Sequence, residues 1–122
     1  MRAITFNAVQ SFNDNKKFKQ SNTEVTTSPY EGGIHADLKL HGNLIARKHT
    51  NNEGDIDLYI SACGWLTPTT KERLNGLDGV SIYQRKGKWY LNGKEWGGAW
   101  VNIEDWNDGY YDGDAYYTEP RY

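Results

Sequence analysis

Hydrophobic positions recur along this chain with two different periods, and the change between them divides it. Over residues 4–14, Phe6, Val9 and Phe12 recur at threefold spacing, which keeps them near one face of a short helix. Thr5 is placed to cap that helix. The polar cluster Asn13-Asp14-Asn15 is placed to end it, because short polar side chains compete for the backbone's hydrogen bonds. A helix of barely three turns depends on packing rather than on propensity.

From Thr23 the period falls to two. Glu24-Val25-Thr26-Thr27 is β-branched and alternating, with Pro29 closing it. Residues 35–40 and 44–49 alternate on either side of the turn His41-Gly42-Asn43, which is a hairpin pattern. Asn51-Asn52-Glu53-Gly54 then turns the chain into 56–60, completing a three-strand meander. A helix follows, with two candidate starts: Thr69 with Glu72 at capping-box spacing, or Thr67 before Pro68. Leu74 and Leu77 are expected to face the sheet, with Trp65 or Leu66 stapling the entry and Gly76 or Gly79 ending the helix. Residues 80–84 and 88–91 form a hairpin about Lys86-Gly87, and Asn92-Gly93 is the strongest two-residue turn signal in the chain. The sum is a small α+β domain over 1–103: one mostly antiparallel sheet of about five strands carrying two short helices.

After Ile103 the pattern breaks down. Residues 104–122 hold six Asp/Glu against one Arg, interleaved with six Trp/Tyr, and almost no aliphatic side chain. The chain's net charge of −2 therefore conceals a block of −5 in an acidic aromatic C-terminal extension. Charge density argues for disorder there, and the rings argue against full exposure. With only 37% hydrophobic residues, the core must lean on five Trp, nine Tyr and three Phe. Cys63 is the one cysteine, which excludes an internal disulfide and a cysteine-based zinc site. No apolar run reaches the roughly 18 residues of a membrane span. Residues 1–7 also lack the apolar stretch of a secretion signal, so the expectation is a soluble, intracellular protein.

Several segments together resemble a family of small bacteriophage proteins. They are Asn43-Leu44-Ile45-Ala46 after Leu40-His41-Gly42, Gly64-Trp65, Thr69-Thr70-Lys71-Glu72-Arg73-Leu74-Asn75, Gly79-Val80-Ser81-Ile82, and Trp89-Tyr90-Leu91-Asn92-Gly93-Lys94-Glu95-Trp96. Asn7-Ala8-Val9, Lys16-Lys17-Phe18 and Asn22-Thr23-Glu24-Val25 fit the same family. The resemblance covers 3–97 and departs at the longer 49–56 turn and at 98–122. Its motifs carry no mechanism. What it implies is a phage-encoded accessory protein of the host cell cytoplasm, and such proteins often bind host defence proteins such as CRISPR effectors or restriction enzymes.

The candidate chemistry is correspondingly that of binding. The extension offers Trp100, Trp106, Tyr110, Tyr111, Asp112 and Asp114 as a partner-binding surface on a host protein, the acids steering and the rings anchoring. The plain alternative is a solvated tail or a C-terminal strand. A second candidate is a nucleic-acid site at Tyr83, Arg85, Lys88 and Tyr90, where aromatics beside cations suit stacking plus phosphate contact. Its alternative is a solvated basic turn with Trp89 in the core. A virion module or a homodimer also fits. Asp112-Gly113-Asp114 and Glu53-Gly54-Asp55-Ile56-Asp57 lack the full calcium-loop spacing, so turn chemistry is the simpler account and no metal is expected. His35, His41, His49 and Cys63 include a nucleophile and bases, but the sequence brings none of them together. No cofactor and no catalytic activity are expected.

Overall fold

The computed structural model of the chain describes residues 1–109. Their elements in order are α1 (Ala3–Asn13), β1 (Phe18–Gln20), β2 (Thr23–Tyr30), β3 (Gly33–Leu40), β4 (Asn43–Thr50), β5 (Ile56–Ile60), α2 (Pro68–Leu74), β6 (Ile82–Arg85), β7 (Lys88–Leu91), β8 (Lys94–Glu95), β9 (Val101–Asn102) and α3 (Ile103–Asn107). The fold is α+β, as the pattern predicts. Its strands form two antiparallel sheets rather than one, ordered β1-β2-β3-β4-β5-β9 and β6-β7-β8.

Register explains where the core lies. Phe18, Val25, Leu38, Ala46, Ile60 and Val101 are successive cross-strand partners, one from each strand of the larger sheet. Antiparallel partners point to the same side. This row therefore builds a single apolar face, against which α1 packs Ala8, Val9 and Phe12. The row beside it runs Thr26, Asp37, Arg47, Tyr59 and Asn102, and the next runs Ser28, His35, His49 and Asp57. Both belong to the opposite, polar face.

The helices are seated by polar anchors. Arg73 of α2 is fully buried; its Nε donates to Thr23 Oγ1 (3.0 Å) and its Nη1 to Thr5 Oγ1 (2.8 Å) and to the Glu72 carboxylate. This network joins α2, α1 and β2. Beyond α2, the Asn75 amide holds both the N–H and the C=O of Ile82, at 2.6 and 2.8 Å, and so caps the edge of β6 like a short strand.

Several local expectations change. Thr5 is not a cap: Arg2 precedes α1 without a side-chain cap, and Thr5 is buried in the arginine network. Phe6 points to solvent while Val9 and Phe12 are buried, because threefold spacing drifts around a helix of 3.6 residues per turn. Pro29 lies within β2 rather than closing it; β1 pairs only as far as Val25, so β2 is an edge at Pro29 and the missing N–H costs no bond. Thr67 caps α2, accepting from Thr70 N at 3.2 Å with Pro68 at the first position, while Glu72 turns to Thr5 and Arg73. Trp65 and Leu66 do not staple the helix entry; both are exposed. The second hairpin begins at Ile82, not Val80. A third helix, α3, spans the expected division between 103 and 104.

Candidate binding site

The two tryptophans expected to anchor a partner are packing residues. Trp106 is 2% exposed and its indole N–H donates to Leu91 O at 2.9 Å, fastening α3 to the smaller sheet. Lys94 covers that ring at 4.6 Å and donates to Trp106 O. Trp100 is 7% exposed and lines a shallow cleft with Asp37, Arg47 and Cys63. An aromatic anchor needs an accessible face, so Trp106 is withdrawn from that role and Trp100 nearly so. Tyr110, Tyr111, Asp112 and Asp114 lie outside the described residues.

The place of an exposed anchor falls to Trp65 and Leu66, 59% and 49% exposed. Their presentation is a backbone effect. Cys63 and Gly64 both have positive φ (52° and 79°), and Trp65 N donates to Ala62 O at 2.8 Å, which together make a type I′ turn. Gly98 holds the base of that turn: its carbonyl accepts from Ala62 N (2.8 Å) and from Ser61 Oγ (3.0 Å). At φ +96°, Gly98 lies where a side chain would be strained, and an added Cβ would meet Ala62 Cβ at 2.9 Å. Trp65 forms one wall of a cleft of about 320 Å³ with a floor of Leu40, Ile45 and Ala62. Thr67, Thr69, Thr70, His41 and Asn43 complete its lining. An apolar floor with a polar rim and a ring at its mouth suits an apolar or aromatic side chain.

The four residues of the second sequence candidate are brought together. Tyr83 pairs with Tyr90 and Arg85 with Lys88 across β6 and β7, so all four share one face of the hairpin. The tyrosine rings stack at 5.2 Å, inclined by 10°. Trp89 on the other face is buried, as its place in the core requires.

On the polar face of the larger sheet, His35 and His49 meet edge to face at 5.0 Å, and Tyr30 stacks on His35 at 4.6 Å. Arg47 forks onto Asp37 through Nε–Oδ1 (2.8 Å) and Nη2–Oδ2 (2.9 Å). Burial, then the charges of Arg47 and His49, hold the His35 pKa below its ordinary value, with Asp37 opposing. His41 lies apart, with its ring against the Asn22 amide, and Cys63 sits exposed in the type I′ turn. In the 51–55 turn, Asn51 Oδ1 accepts from the N–H groups of Glu53 and Asp55, each at 2.9 Å, which is turn chemistry. Among the described residues, no three His, Cys, Asp or Glu side chains are grouped to hold a metal ion, and no helix is long and apolar enough to cross a membrane.

Sequence reasoning missed Trp65 and Leu66 as surface residues, and the signal was Gly64. A glycine directly before a tryptophan marks a turn that can swing the ring outward. Neither the curated proteins nor the solved structures include a match to this chain. A family model described as Kyanoviridae Gp96 protein matches residues 1–113, reaching past residue 97, where the resemblance read from the sequence stops. That match spans most of the chain, and the protein belongs to this family of phage proteins.

Proposed function

We propose that this phage protein acts by stoichiometric binding to a host protein, without catalysis, and that Trp65 and Leu66 are its principal anchors. One observation supports the reading above the others: Trp65 stands exposed beside an apolar cleft, on a turn whose base Gly98 holds, and the next residue, Leu66, is exposed as well. Rigid aromatic anchors beside a pocket are the usual energetic centre of a protein interface. The cleft accepts one partner side chain while Trp65 covers it. The acidic composition of the segment beyond Gly109 supplies steering charge, which acts on the rate of encounter. Phage origin suggests a host defence effector as the target, of CRISPR or restriction type, with inhibition following from occupancy.

The test is capture from lysate of the host bacterium with the native chain and with a Trp65→Ala/Leu66→Ser variant. Both positions are exposed, so the variant keeps its thermal transition. A single host protein, bound one-to-one by the native chain and lost from the variant, supports the reading. Capture that is equal for both proteins refutes the anchor assignment. Recovery of the native chain in purified virions, with no host partner, refutes the host-binding reading in favour of a structural role.

A further inference from the structure

The β6–β7 hairpin carries chemistry that binding at Trp65 does not use. Its buried side holds Ile82, Trp89 and Leu91, so the hairpin is fixed to the core by one face only. The other face is a row of paired groups: Tyr83 opposite Tyr90, then Arg85 opposite Lys88. Lys86 and Gly87, with φ of 53° and 78°, close the hairpin as a two-residue turn and add a third cation beyond the row. β6 is the edge strand of its sheet, so Tyr83, 44% exposed, is the outermost ring of the stack. Tyr90 backs it at 5.2 Å and sets its plane. Glu95, the partner of Tyr90 on β8, brings an acid beside the row; it reaches Lys88 at 3.6 Å, with both side chains in solvent. An ion pair so exposed is readily exchanged for a phosphate.

We propose that this face binds single-stranded nucleic acid, with a base stacked on the outer face of Tyr83 and the adjoining phosphates held by Arg85, Lys86 and Lys88. Stacking needs an unpaired base whose flat side is free, so a duplex is the poorer ligand. The cations lie at one end of the tyrosine pair, and the strand therefore crosses the hairpin along the row, from the rings toward the turn. With three phosphate contacts on a single strand, the slope of log affinity against log salt is about −2. This site is separate from the Trp65 cleft, and the two proposals stand or fall independently.

The experiment is fluorescence anisotropy at low salt with fluorescein-labelled twelve-nucleotide oligothymidine, its duplex with oligoadenosine, and a labelled polyglutamate peptide. The expected result is saturable binding of the single strand, weaker binding of the duplex, and a salt slope near the value above. Tyr83→Ala should weaken the single strand by about tenfold and Tyr83→Phe should leave it unchanged, because the ring rather than the hydroxyl does the stacking. Arg85→Glu with Lys88→Glu should abolish binding, and Trp65→Ala should not alter it. In the native protein, resonances of residues 83–90 should shift on titration with the oligonucleotide, which requires no variant to fold. The proposal is overturned by absence of single-strand binding, by indifference to Tyr83→Ala, or by polyglutamate binding as tightly as the oligonucleotide.

Discussion

The indole N–H of Trp106 donates to the carbonyl oxygen of Leu91 at 2.9 Å, and through this bond α3 is locked to the hairpin sheet. The chain beyond Ile103 is thus part of the core at least to Trp106. Trp106→Ala should cost about 3–5 kcal/mol, through lost burial and an emptied site. Trp106→Phe keeps most of the apolar area and leaves the Leu91 carbonyl without this donor, so it should cost about 1–3 kcal/mol. Urea denaturation of both variants checks the order. A shortened chain for binding studies should therefore end at Gly109 and not at Ile103.

Arg73 should be among the least replaceable polar residues. It is 1% exposed and bonded to Thr23, Thr5 and Glu72. Arg73→Ala takes the charged donor from a half-buried carboxylate and from two buried hydroxyls and empties a buried site, and about 3–5 kcal/mol of stability should go with it. Thr5→Val removes two bonds, the one accepted from Arg73 and the one donated to Glu72, and should cost about 1–3 kcal/mol. Thermal unfolding of the two variants gives the comparison. Equal, small losses would contradict the network.

Gly98→Ala tests the support beneath Trp65. The new Cβ would sit 2.9 Å from Ala62 Cβ and 3.2 Å from Leu66 Cδ2, at a positive φ that alanine disfavours. A loss of about 2 kcal/mol is expected. The indole N–H resonance of Trp65 should move as well, because the turn that carries it must shift. A variant with native stability and an unmoved resonance would show that Gly98 does not hold the turn.

Much of this architecture is legible in the sequence, for a physical reason. β3 and β4 have one apolar side, so alternation reveals them, and the His41-Gly42, Lys86-Gly87 and Asn92-Gly93 turns announce themselves through residues that adopt positive φ. Alternation alone also places Tyr83, Arg85, Lys88 and Tyr90 on one face of their hairpin. Pairing between distant strands leaves no such mark: nothing local to Val101-Asn102 says that it adds to β5, or that β6–β8 form their own sheet. Spacing leaves Thr67 and Thr69 both open as the cap of α2, and Pro68 settles the choice by fitting the first helical position. Tryptophan content predicts large buried area but not which rings are buried. Trp65 goes outward on the backbone of Cys63-Gly64, while Trp106 goes inward with α3 and Trp100 inward beside it in the chain.

Stability should depend on pH through His35. An unfolded histidine titrates near about 6.5, and burial holds folded His35 lower. Between the two values the unfolded chain binds the extra proton, so stability rises with pH. The contribution of neutral His35 is complete above the unfolded value and is lost as pH falls through the folded one. The melting temperature should drop between pH 7.5 and 5, and His35→Phe should flatten part of that drop while keeping the ring beside Tyr30. A proton NMR titration placing His35 at or above its ordinary value would contradict this.

The central claim is one-to-one host binding anchored on Trp65 and Leu66, and isothermal titration of the captured host protein tests it most directly. With the native chain the account predicts a stoichiometry of one. With Trp65→Ala it predicts affinity weaker by about thirtyfold, the effect of losing a hot-spot anchor worth about 2 kcal/mol. An affinity for the Trp65→Ala chain equal to that of the native protein would contradict the account.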